Sequence, residues 1–159
     1  MATTTTTLRR KGIPNVYNHW QKQRDVITHN DILKAFVKGK EAGKTEQQRV
    51  NQSLFDKNLE KAKAVCENIF QELSEANINL KAIHLKADAI TNFYALFISK
   101  KEDFLKDDFR NAFIVARKYK NQIEDSTFFI SFTFTPDSES LDENCLTSDG
   151  FFIKYNGEK

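Results

Sequence analysis

The hydrophobic pattern changes period near Asn79, and this constrains the fold more than any other feature of the chain. Upstream, apolar residues recur at helical spacing. Downstream, they alternate over short aromatic-rich runs that flank one amphipathic helix. The upstream signal is strongest over residues 46–76. Thr45 and Gln48 make a T-x-x-Q capping box. Phe55, Leu59, Ala62, Cys66, Ile69, Leu73 and Ala76 then follow at gaps alternating four and three, the a/d repeat of a helix with an apolar seam. Val65 and Phe70 widen that seam into a stripe, which favours packing on a core. The competing reading is a homo-oligomer formed through helix 46–76. A shorter helix over 29–43 precedes it, capped by Thr28 and Asp31, carried by Ile32, Leu33, Phe36 and Val37, and weakened at its end by Gly39 and Gly43.

Beyond Asn79, Ile83, Leu85 and Ala87 share one face of a strand, and His84 and Lys86 take the other, which places His84 on an exposed face. Residues 93–98 are apolar on both faces, as in a central, covered strand. Thr91 and Asn92 read as a tight turn between the two. Leu105, Phe109, Ala112, Phe113, Ala116 and Ile123 mark an amphipathic helix over 106–123, with Asp107 and Asp108 at its positive end. The clearest strand follows. Phe128, Ile130, Phe132 and Phe134 alternate with Phe129, Ser131, Thr133 and Thr135, until Pro136 stops the run. Ser140 and Glu143 read as the cap of a short helical turn, Asp149-Gly150 as a turn, and 151–155 as a last strand.

The sequence therefore predicts an α+β protein. N-terminal helices lead into a ββαββ unit over 80–155, which forms a four-stranded, mainly antiparallel sheet with helices on one face. Residues 1–27 read as a flexible basic arm, because a threonine run followed by Arg9, Arg10 and Lys11 has too little apolar surface to offset its ordering entropy. The remainder, 28–159, reads as a single domain.

Charge is unevenly spread. Residues 1–52 hold ten Lys/Arg against four Asp/Glu, a balance of +6, and the rest of the chain has a balance of −4. Such a front can hold a polyanion, with Arg9, Arg10, Lys11, Lys22, Arg24, Lys34, Lys38, Lys40, Lys44 and Arg49 on phosphates. Solvated helix faces of differing charge are the plainer explanation. No apolar run reaches the length of a membrane span, so no membrane partner is expected. The start of the sequence lacks the apolar stretch of a signal peptide, and Cys66 and Cys145 are too few for a disulfide framework, which together point to a cytoplasmic setting.

Chemical motifs are absent or defective. Residues 39–45, GKEAGKT, have one residue too few between the glycines for a phosphate-binding loop and follow a helical pattern rather than a strand. Asp137, Glu139, Asp142, Glu143 and Asp149 form an acidic stretch, but Leu141 stands where a calcium loop needs an oxygen ligand. His19, His29 and His84 share no ligand spacing with each other or with the cysteines. The sequence thus assigns no catalytic residue, no metal and no cofactor, although an enzyme can hide its site from such a scan. One sheet face does carry a usable combination: Tyr94, Phe129, Ser131, Thr133, Phe152 and Lys154 offer aromatic surface beside hydroxyls. Basic residues are sparse there, so a protein partner suits that face better than nucleic acid. The expectation is a non-catalytic binding module with a macromolecular partner, with nucleic-acid binding through the basic third as the alternative and an enzyme with an unrecognised site behind both.

Overall fold

A computed structural model describes Trp20–Lys22 as main chain and residues 45–157 of the protein. The elements in chain order are β1 (Trp20–Lys22), α1 (Thr45–Glu75), β2 (Leu80–Ala87), β3 (Asn92–Ser99), a short helix α2 (Lys101–Phe104), a 3-10 turn (Asp107–Phe109), α3 (Arg110–Ile123), β4 (Phe129–Pro136), a short helix α4 (Glu143–Ser148) and β5 (Ile153–Asn156). The fold is α+β, as the pattern predicts. The stretch 29–43, read as a helix, lies outside the described residues. So does most of the expected arm, 1–27, except that three of its residues form β1, paired antiparallel with β5 at the sheet edge.

The strand order is β1-β5-β2-β3-β4. Pairing is antiparallel except between β3 and β4, which run parallel. Each connection explains its pairing. A tight loop over 88–91 joins β2 to β3, with the Asp88 N–H donating to the Asn92 carbonyl (3.1 Å) and the Asn92 N–H to that of Ala89 (3.3 Å). A loop of that length allows only antiparallel neighbours. Between β3 and β4 the chain climbs through α2 and α3, a crossover long enough to bring β4 back parallel. From β4, at one edge, residues 137–152 pass over the sheet to deliver β5 beside β2.

The seam of α1 packs inside the molecule. Phe55, Leu59, Ala62, Cys66, Ile69 and Leu73 are all buried, against Ile83 and Leu85 of β2 and Phe93 and Phe97 of β3. A helix that spends its stripe on its own sheet has none left for a second copy, so pairing through this seam gives way to core packing. The C-termini of α1 and α4 use one device. Asn77 takes a left-handed conformation (φ 59°), the Asn77 N–H donates to the Ser74 carbonyl and the Ile78 N–H to that of Leu73. This is a Schellman motif, and its usual apolar contact is Ile78 with Leu73, both in the core. Gly150 (φ 93°) closes α4 the same way, with Phe151 bonding back to Leu146. The cap at the start of α4 is the Asp142 carboxylate, which accepts from the Asn144 N–H, rather than Ser140; the Ser140 hydroxyl instead meets Ser138.

Two further expectations change. The predicted helix over 106–123 begins as a helix only at Arg110, because α2 and the 3-10 turn occupy the residues before it. Asp103 holds that corner: its buried carboxylate accepts from the main-chain and side-chain N–H of Asn79 (3.0 Å each) and pairs with Lys106. The bonds from Lys106 and Asn79 lower its pKa to about 2. The second sheet face is also partly covered. Leu146 and Phe151 pack with Ala82 and Ile98 there, so helical cover lies on both faces.

Asn58 pins α1 to the sheet at one end. It is fully buried, and its Nδ2 donates to the Ile90 carbonyl (3.0 Å) and the Thr127 carbonyl (2.7 Å), joining α1 to both loops at that end. Asn58→Leu leaves two carbonyls without their donor and should lower unfolding free energy by about 2 kcal/mol in urea denaturation. Leu73→Glu places an uncompensated charge in the core and should cost about 3–5 kcal/mol. Loss of cooperative near-UV melting is the expected readout for Leu73→Glu, and a folded variant with an unshifted melt would show the seam to be surface.

Candidate interaction edge

β4 is an edge strand of unusual character. Its parallel partner β3 lies on one side, and among the described residues no strand pairs with the other. The register shows which groups point outward. The Phe129 N–H donates to the Thr91 carbonyl (2.8 Å) and the Asp137 N–H to that of Ser99 (2.7 Å), so the odd-numbered residues face β3. Ile130, Phe132, Phe134 and Pro136 therefore turn their main-chain polar groups away from the sheet. Two of these positions are blunted. The Glu124 carboxylate accepts the Ile130 N–H (3.1 Å), and Pro136 has no N–H, which is why a proline fits an edge here. Phe132 and Phe134 remain with donors directed outward. Native edges usually carry a lysine or an inward charge to discourage pairing. None of the residues of β4, FISFTFTP, is charged.

Apolar side chains cluster beside this edge. On the sheet face opposite α1, Phe129 is 46 % exposed, with Ser131 and Thr133 exposed after it. Tyr94 lies next to Ser131 and Leu96 next to Thr133 in the β3–β4 register. The Lys86 Nζ stands 5.3 Å from the Tyr94 ring. On the helix side, Phe113 stacks edge-on against Phe134 (5.0 Å) and Phe109 (5.9 Å), yet 52 % of it stays exposed. Ile114 and Leu105 are more exposed still. Leu105 and Phe113, expected in the core, are thus surface residues. The helix starting at Arg110 turns Ala112 and Ala116 inward, and Phe113, about 100° from Ala112, falls at the border.

The expected sheet-face residues are partly brought together. Tyr94, Phe129, Ser131 and Thr133 share one surface. Lys154 is on the same face but two strands away, paired with Glu143. Phe152 is not on it: the ring is buried with the helix-side core, and Phe151 takes the opposite face. The expected polyanion-binding residues Arg9, Arg10, Lys11, Arg24, Lys34, Lys38, Lys40 and Lys44 lie outside the described residues, and Lys22 enters only as a β1 position opposite Ile153. The sequence missed Phe113 and Ile114 as surface residues. The signal was present, since two adjacent apolar residues on a helix cannot both face a core centred on Ala112 and Ala116.

Neither cysteine is poised as a nucleophile. Burial pushes the Cys66 thiol well up, and the Asp142 carboxylate raises that of Cys145. His84, expected on an exposed face, is fully buried instead, because 137–152 cross that face of β2. Phe151 meets its ring edge-on at 6.3 Å, and neither imidazole nitrogen has a hydrogen-bond partner. Burial first, and the Lys154 charge second, lower its pKa from 6.5 to about 4, against an opposing pull from Glu143.

Comparison with known proteins finds no match: no family model fits the chain, and no curated protein and no solved structure matches it.

His84 makes stability depend on pH in a defined direction. Between about 4 and 6.5 the unfolded chain binds a proton that the folded protein refuses, so stability falls as pH drops through that window. The loss should reach at most about 3 kcal/mol. His84→Leu, which keeps the volume and removes both nitrogens, should flatten the dependence measured by denaturant titration at several pH values. Parallel losses in the variant and the parent would assign the effect to other groups.

Proposed function

We propose that this protein is a non-catalytic interaction module that binds a protein partner along β4. The observation that carries the reading is the uncharged strand, paired on one side only among the described residues, with Phe129 and Phe113 exposed beside it. An edge of this kind offers main-chain bonds for affinity and flanking apolar surface for selectivity, the two components of strand addition. Its chemistry suits a polypeptide better than a nucleic acid: β4 has no cation to meet a phosphate, and Lys86 already stands over Tyr94 and Phe151. Among the described residues no helix is long and apolar enough to cross a membrane.

A photo-crosslinking amino acid in place of Phe129 should give covalent protein adducts in cells. The same group in place of Val50, an exposed apolar residue on α1, is the control and should give few. Equal labelling at the two positions, or adducts to nucleic acid alone, would count against this reading.

A further inference from the structure

Resting on that reading of β4, we infer that its occupant is a second copy of this chain, with two β4 strands pairing antiparallel about a two-fold axis at Phe132. The argument is one of self-complementarity. A strand whose charges share one sign brings like charges together when it meets its own copy, so such edges resist self-pairing. β4 itself has no charge to oppose, and the one carboxylate at its edge, Glu124, is paired with Lys120 (3.5 Å). The axis at Phe132 also matches side chains on both faces. On the helix side, Phe132 meets its copy and Ile130 meets Phe134. On the other side, Ser131 of one copy faces Thr133 of the other, and Phe129 faces Thr135. These are aromatic, aliphatic–aromatic and hydroxyl pairs of the kind that stabilise antiparallel neighbours.

The hydrogen bonds fit as well. In this register the Phe132 residues exchange their two N–H donors, and each Phe134 N–H reaches the Ile130 carbonyl of the other copy. Two of the donors used are those that β4 leaves directed outward. The Ile130 N–H, now on Glu124 (3.1 Å), passes to the Phe134 carbonyl of the other copy, and Pro136 has no donor to place. Phe113, half exposed above Phe134, lies at the border where the second copy would cover it. The product is one continuous sheet running through both copies, which removes the open edge from each.

Light scattering on the full chain, from low micromolar to a few hundred micromolar, tests the inference. The parent should show twice the chain mass at the upper end. The double variant Ser131→Lys/Thr133→Lys changes two exposed side chains and should keep the fold by circular dichroism. It puts like charges opposite each other and should weaken the dimer about tenfold or more. Ser131→Glu/Thr133→Glu should do the same alone. Mixing the two variants should restore the dimer, because the lysines of one then face the glutamates of the other. A parent that stays monomeric throughout overturns the inference, and so does a dimer that both double variants leave intact. The crosslinking result separates the two readings. A monomeric parent that still crosslinks at position 129 to a different protein keeps β4 as a binding edge and removes only the self-pairing. A monomer without adducts at that position removes both.

Discussion

The apolar stripe of α1 lies across β2 and β3, and the rest of the structure depends on that contact. Phe55 packs its ring against Phe93 at 5.7 Å, and Phe93 against Phe128 at 5.6 Å, so one aromatic chain runs from the helix through the central strand to the start of β4. A helix and a sheet each have one apolar face to hide, and each solves the problem of the other. The polar contacts then fix how they sit. Asn58 joins one end of α1 to the loops, and Asp103 holds the corner at the other, where Asn79 leads into β2. The surface ion pairs, such as Lys118 with Glu72 between α3 and α1 (2.9 Å), add little stability because they stay in water.

Topology decides which surface is left over. The crossover through α3 sets β4 at the border of the sheet, and the return over 137–152 carries the chain to the far side instead of back along β4. That return path buries one face of β2 and leaves the outer flank of β4 uncovered by any described strand. The exposed edge and the buried His84 are therefore two results of one connection. His84 is enclosed because the chain passes over it, and among the described residues β4 is open because the chain passes away from it.

The elements were legible in the sequence where one period dominated. The four-and-three gaps from Phe55 to Leu73 locate α1, and the alternation of Phe128 through Phe134 locates β4, because each pattern follows from one face meeting one core. Connectivity was less legible. Nothing in the alternation of Phe129, Ser131 and Thr133 distinguishes an open edge from an interior strand with a solvated face. The parallel pairing of β3 with β4 depends on where α3 returns the chain, which periodicity does not encode. His84 failed for a related reason: its polarity predicts water, but its surroundings come from Leu146 and Phe151, far along the chain. Phe152 failed because it lies one residue before β5, outside the strand's alternation, and packs with Ile153 on the helix-side core. The helical stripe including Leu105 and Phe113 failed because it assumed one helix where the chain makes two helices and a 3-10 turn.

The same connectivity implies an order of assembly. The β2–β3 hairpin closes over a short loop and loses little chain entropy. β5, in contrast, joins Tyr155 to Ile83 across a sequence separation of 72 residues. Non-local pairing of this kind is slow, because the loop must be closed before the contacts are gained. On that ground the seating of 137–152 is expected after that of the β2–β3 hairpin. Until it occurs, the imidazole of His84 is wet and free to titrate, so the protonation of this one side chain records whether the last strand has arrived.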